Sequence, residues 1–262
     1  MRHWTRVVLL WFCTIICSSL CGCQEERILQ ERPIRIVASA APSIFPRAWR
    51  SQDIDATAKP LRTREFKRSQ LILNKAMAKY PSRVLTDNIT TVYVVHTLCY
   101  CGITASGTNS WSDIYIANQG PARGFTDQWV EDTFHEEFSS ILLRNFPRYL
   151  DKAAWTGANL EKNFKYGDGG VDFVKEGRIG KEFQTKLHKE GFLCDYAKSS
   201  IENDFNAFAG QLFMGDLHFW TALKKHPRIK KKADLTIAFY HRLNPKFTET
   251  FFRSLVKNPK DL

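Results

Sequence analysis

The chain has 262 residues, 44% hydrophobic and 13% aromatic, enough for a packed core and too apolar for a disordered or fibrous chain. Its formal net charge is +11. That excess would point to nucleic acid in a cytosolic protein, but the N-terminus argues for export and removes that partner class.

Arg2 and Arg6 precede the apolar run VVLLWFCTIICSSL, a short positive segment and a hydrophobic stretch that read as a secretory leader. The run is broken too soon for a membrane-spanning helix. Leu20, Cys21, Gly22 and Cys23 resemble the lipobox of bacterial lipoproteins, which implies lipid attachment at Cys23 and anchoring to a membrane. The QEER that follows resembles the signal that sends such proteins to the surface of the outer membrane. Anionic glycans or lipid headgroups then become the expected neighbours of the basic chain. Cys13, Cys17 and Cys21 leave with the leader. Cys99, Cys101 and Cys194 remain, and their spacing is not that of a metal-ligand set. Either Cys99 or Cys101 could reach Cys194 if the fold brings them near.

Residues 1–22 are therefore the leader, 23–60 a proline-bearing tether and irregular lead-in, and 61–262 a single domain. LRTREFKRSQLILNKAMAKY, residues 61–80, carries Phe66, Leu73, Met77 and Tyr80 on one helical stripe, and Pro81 ends it. TTVYVVHTL, residues 90–98, is β-branched and aromatic and predicts one buried strand. The Gly/Ser/Asn-rich stretch to Ser112 predicts a loop, and DIYIAN, 113–118, a second strand. Thr126 or Asp127 caps a long helix whose apolar face is Val130, Phe134, Phe138, Ile141 and Leu142. A loop around YGDGG separates it from SSIENDFNAFAGQLFM, 199–214, a helix opening with a capping-box arrangement that includes Glu202. KKHPRIKKK, 224–232, predicts a solvated loop, and the chain closes with one or two apolar helices.

Strand, edge strand, a long helix carrying His-Glu, and a later helix with acids resemble the zincin-like, zinc-binding metallopeptidase lipoproteins that accompany bacterial nutrient-import systems. The lipobox, DIYIAN, FHEEFSSIL and GFLCDYAKSSIENDFNAFA carry the likeness. It implies an α+β, zincin-like fold, a small mixed sheet packed on the long helix, with a mainly helical C-terminal half. An intact motif sets two imidazoles at i and i+4 to grip zinc, a Glu at i+1 to deprotonate the bound water, and a later carboxylate as third ligand. Here the motif is degenerate. Starting at His135 gives ligand His135 and base Glu136, with Ser139 in the second imidazole position. Starting at Glu136 makes Glu137 the base and puts Glu136 and Ser140 in both imidazole positions. Glu202 and Asp204 are the candidate acidic ligands, and Tyr196 the candidate oxyanion donor.

Two functions follow from the resemblance. One is an accessory protein of an import system that has lost or weakened peptidase activity and binds an extended peptide by strand addition at the edge of DIYIAN, or a glycan on Trp111, Trp129, Trp155 or Trp220. The other is an active zinc hydrolase with a non-standard ligand set; zinc is the cofactor only in that case.

Overall fold

The structure, a computed structural model, describes residues 26–178, 180 and 183–256. The leader and the expected lipid site at Cys23 lie outside the described residues. Among the described residues no helix is long and apolar enough to cross a membrane.

The architecture is α+β. The main sheet takes its first two strands, β1 (Arg27–Gln30) and β2 (Arg35–Ala38), from the expected lead-in, and β3 (Thr57–Lys59) also comes from it. Thr90–Leu98 is not one strand. It divides at His96 into β4 (Thr91–Val95) and β5 (Thr97–Tyr100), which belong to different sheets. The expected loop holds β6 (Ile103–Ala105) and β7 (Gly107–Asn109), and β8 (Asp113–Ala117) follows; β8 pairs with β4 on one side and β7 on the other, so DIYIAN is not the expected edge strand and β7 takes that place. Cys101 and Gly102 both take positive φ, the geometry of a tight hairpin turn between β5 and β6.

The main sheet runs β1-β2-β4-β8-β7, parallel at its centre and antiparallel at both edges. The central strands are buried on both faces, with period two. Val92, Val94, Ile114 and Ile116 enter the large core, while Val95, Tyr115 and Ala117 enter a smaller one beneath the second sheet, β3-β5-β6.

The helices are α1 (Phe66–Met77), α2 (Ser82–Thr86), α3 (Asp127–Asn145), α4 (Lys152–Thr156), α5 (Gly170–Lys175), α6 (Thr185–His188), α7 (Ile201–Met214), α8 (Leu217–Lys225), α9 (Pro227–Leu243) and α10 (Glu249–Ser254). Thr126 caps α3, its hydroxyl accepting from the Trp129 amide. The cap of α7 is Ser200, accepting from the Asn203 amide, so Glu202 is not the reciprocal partner of a Ser199 box. α3 is the spine, packed on β7 and β8, on α1 and on α7. The lysine-rich run 224–232 is helix rather than loop: it ends α8 and opens α9, and Lys232 is fully buried. Trp155 and Trp220 are core residues, so of the four tryptophans only Trp111 and Trp129 present exposed rings. Cys99 and Cys101 carry free thiols, and neither is bonded to Cys194.

Candidate functional site

A cavity of about 610 Å³ opens beside the edge strand β7. α3 supplies its floor with Glu136, Glu137 and Ser140, which stand at i, i+1 and i+4 and share a face. The first turns of α7 supply Glu202, Asn203 and Asn206 opposite. Tyr196 and the segment Asp168–Gly170 close one side, and Tyr100 and Ile103 close another.

Each wall is tied to the next. Glu137 accepts from Asn109 Nδ2 at 2.6 Å, which joins the floor to the edge strand. Arg144, two turns further along α3, donates to Asn109 Oδ1, to the Ser110 carbonyl at 2.7 Å and to Glu202 at 3.2 Å. One guanidinium therefore links α3, the end of β7 and α7. Asn206 is the second tie: its amide nitrogen donates to Ser140 Oγ at 2.7 Å, and its oxygen accepts from Ser139 at 2.6 Å. Gly107 lets β7 lie on α3, since a Cβ there would fall 2.6 Å from Thr133 Cγ2 and 2.7 Å from Glu137 Oε1. Burial, then the neighbouring Glu137 carboxylate, raise the Tyr100 phenol far above its ordinary pKa, so it stays protonated.

The six residues expected from the sequence separate into two groups. Glu136, Glu137, Tyr196 and Glu202 meet at the cavity. His135 does not: it is completely buried, its Nδ1 2.8 Å from Tyr80 Oη and its ring stacked on Phe213. Burial, and then Lys79 and Lys75, hold it well below the ordinary imidazole pKa and keep it neutral. Asp204 is also enclosed, 2.6 Å from Lys232 Nζ and accepting from Tyr166 and Trp155. The set His135, Glu202 and Asp204 is thus not brought together, because one turn of α7 sends Glu202 and Asp204 to different sides and α3 turns His135 into the core.

The residues at the cavity do not fit a zinc centre of the expected kind. No imidazole or thiol lines it among the described residues, and one lone pair of Ser140 is engaged by Asn206. Among the described residues no three His, Cys, Asp or Glu side chains are grouped to hold a metal ion. What the cavity offers is carboxylates, amides and an open strand edge.

Sequence reasoning overlooked Arg144, Asn109 and Asn206. Arg144 stands four residues after Ser140 and seven after Glu137, and Asn206 four after Glu202, so helical spacing from the expected residues could have found both. Asn109 lay in a stretch read as loop.

No protein-family model matches the chain, and neither a curated protein nor a solved structure is significantly similar to it.

Proposed function

We propose that this chain is a zincin-like lipoprotein that binds rather than cleaves, taking an extended peptide by strand addition along β7. The carrying observation is the register of α3. Glu136, Glu137 and Ser140 face the cavity where an intact motif would present His, Glu and His, and the one histidine of the stretch faces the core. A carboxylate and a serine hydroxyl hold zinc poorly in place of two imidazoles, so metal-activated hydrolysis has lost its footing.

The edge strand supports the binding half of the reading. Among the described residues β7 pairs with β8 alone. The Ala117 amide donates to the Ser106 carbonyl and the Ser110 amide to the Asp113 carbonyl, which fixes the phase of the ladder. Residues in an antiparallel pair alternate between facing and turning from their partner, so Gly107 and Asn109 turn their backbone groups outward. These are the groups an incoming strand needs. Cys23 supplies the anchor that holds the cleft at the outer membrane; Cys23→Ser should release the protein into the soluble fraction.

The test pairs two measurements on the purified protein. Zinc determination should give far less than one ion per chain. A library of unstructured peptides should yield binders whose affinity is lost when alternate backbone amides are N-methylated, because strand pairing needs those donors. One zinc per chain with peptide hydrolysis abolished by Glu137→Gln would overturn the reading and establish the hydrolase instead.

A further inference from the structure

The excess positive charge of the chain is not spread evenly. Residues 26–80 carry 12 Lys or Arg against 5 Asp or Glu, whereas residues 81–262 carry 24 against 21. The basic part is also the part that follows Cys23. β1 begins at Arg27, so the expected tether shrinks to the step from Cys23 to Glu26, about 10 Å when fully extended. That reach is comparable with the screening length in salt solution, about 8–10 Å, so charges beside the chain's entry point act on whatever surface holds Cys23. From this placement we infer that the exposed face of α1, with the turn before it, rests on an anionic lipid surface and sets Arg64, Lys67 and Lys75 over phosphate headgroups. The inference rests on the anchor at Cys23 in the reading above and adds the way the protein sits on its membrane.

The face has a helical period. Arg64, Lys67, Leu71 and Lys75 follow one another at steps of three, four and four, which sets them in one row, and all four are exposed. Leu71, 59% exposed, is the apolar side chain in the middle of that row. A helix that presents cations around an exposed leucine suits the headgroup boundary, where the leucine dips inward and the cations meet phosphate. The acids nearby are engaged within the fold. Glu65 is buried and pairs with Arg68 at 2.8 Å and, more loosely, with Arg64 at 3.7 Å. Asp127 pairs with Arg68 at 2.7 Å, and the buried Glu131 is shared by Lys75 and Lys79. Glu26 and Glu31 both pair with Arg35. Gln70, on α1, donates to the Leu29 carbonyl at 2.7 Å, which fixes the row beside β1 and so beside the entry point. The rival cationic run, residues 224–232, is the weaker candidate, since Lys232 is buried against Asp204 and Lys230 pairs with Asp234 at 2.6 Å. β1 and β7 are opposite edges of the five-stranded sheet, about 19 Å apart, so the edge that takes the peptide lies away from the edge beside the membrane.

The experiment removes the lipid and asks whether the face binds by itself. A chain beginning at Gln24 keeps every residue of the hydrophobic cores. It is sedimented with vesicles of phosphatidylcholine alone and of phosphatidylcholine mixed with phosphatidylglycerol, at low and at physiological ionic strength. It should bind the mixed vesicles and not the neutral ones, and binding should fall as salt rises. The double variant Arg64→Gln/Lys67→Gln, checked for an unchanged melting temperature, should bind about tenfold or more weakly at low salt, since each Lys or Arg at the surface contributes about fivefold. Leu71→Gln, which alters no charge, should weaken binding severalfold. Lys225→Gln/Lys231→Gln makes the same change of net charge on α8 and α9 and should leave affinity within about twofold. Absence of binding to the mixed vesicles at low salt overturns the inference, and so does an equal loss in the two double variants, which would reduce the effect to net charge. Retention on dextran sulfate without vesicle binding assigns the face to a soluble polyanion and also overturns it. The mass of the full protein recovered from membranes reports the lipid on Cys23 separately. Vesicle binding by the soluble chain together with an unmodified Cys23 supports the face and removes only the anchor.

Discussion

Lys232 Nζ lies 2.6 Å from Asp204 Oδ2, and neither side chain reaches solvent. Lys232 also donates to the Gly191 carbonyl at 2.8 Å, while Tyr166 and Trp155 donate to the same carboxylate oxygen of Asp204. The pair bolts α9 to α7 behind the cleft, and removing one member strands the other. Lys232→Met should cost about 3–5 kcal/mol of unfolding free energy. Adding Asp204→Asn should recover much of that loss, because an amide oxygen still accepts from Tyr166 and Trp155 without carrying charge. Chemical denaturation of the three proteins decides it. A loss below about 1 kcal/mol in Lys232→Met would mean that the pair is solvated.

Much of this could be read from the chain, and the failures share one cause. Long periodic segments were legible: α3 with its Thr126 cap, α7, and β8 carry their burial in their spacing. The strand split at His96 was not, because TTVYVVHTL has the same composition on both sides of the break. Nor was β7, whose Gly, Thr and Asn read as loop; its strand character comes from pairing with β8 and lying on α3, which are tertiary facts. The lysine run misled because surface charge is the ordinary fate of lysine, and only the fold shows that Lys232 meets Asp204. At the site, four of the six expected residues meet because they share one face of α3 or the start of α7. His135 fails because i−1 on a helix is about 100° away from i, enough to turn a side chain from cleft to core.

Arg144 is the tie most exposed to test. It holds Glu202, Asn109 and the Ser110 carbonyl at once. A hydrogen bond to a charged group contributes about 1.5–3 kcal/mol. Arg144 is itself partly exposed, which puts the expected loss for Arg144→Met near the lower end of that range. The distinguishing effect is local. Amide exchange should quicken at 107–110 while the central strands β4 and β8 stay protected. A uniform rise across the sheet, or none, would show that the guanidinium does not hold the edge.

Gly107→Ala tests how closely the edge strand lies on α3. The added methyl must displace Thr133 or Glu137, or lift β7, and overpacking of this kind costs about 1–3 kcal/mol. Because Glu137 also accepts from Asn109, the shift should loosen both contacts and weaken peptide binding beyond what stability alone explains. Binding measured well below the melting transition separates the two effects. Unchanged affinity would mean that the ligand does not use this edge.

The buried His135 makes the protein acid-sensitive in a calculable direction. Unfolded, it takes up a proton below about pH 6.5. Folded, burial foremost and then Lys79 and Lys75 prevent this until the pH is far lower; the groups packed against the ring are Tyr80, Phe134 and Phe213, none of them anionic, while Glu131 lies with the two lysines. Between those two values the unfolded chain binds more protons, so the stabilisation is complete above about pH 6.5 and is lost as the pH falls. The slope approaches about 1.4 kcal/mol per pH unit for one proton. His135→Gln removes that term and leaves His188, whose pKa is lowered by its own burial and by His226, untouched. The stability advantage of the native chain over the variant should therefore shrink steadily from pH 6 to pH 5. Denaturation curves at four pH values measure it, and a gap independent of pH would show that the ring is protonated or solvated in the fold.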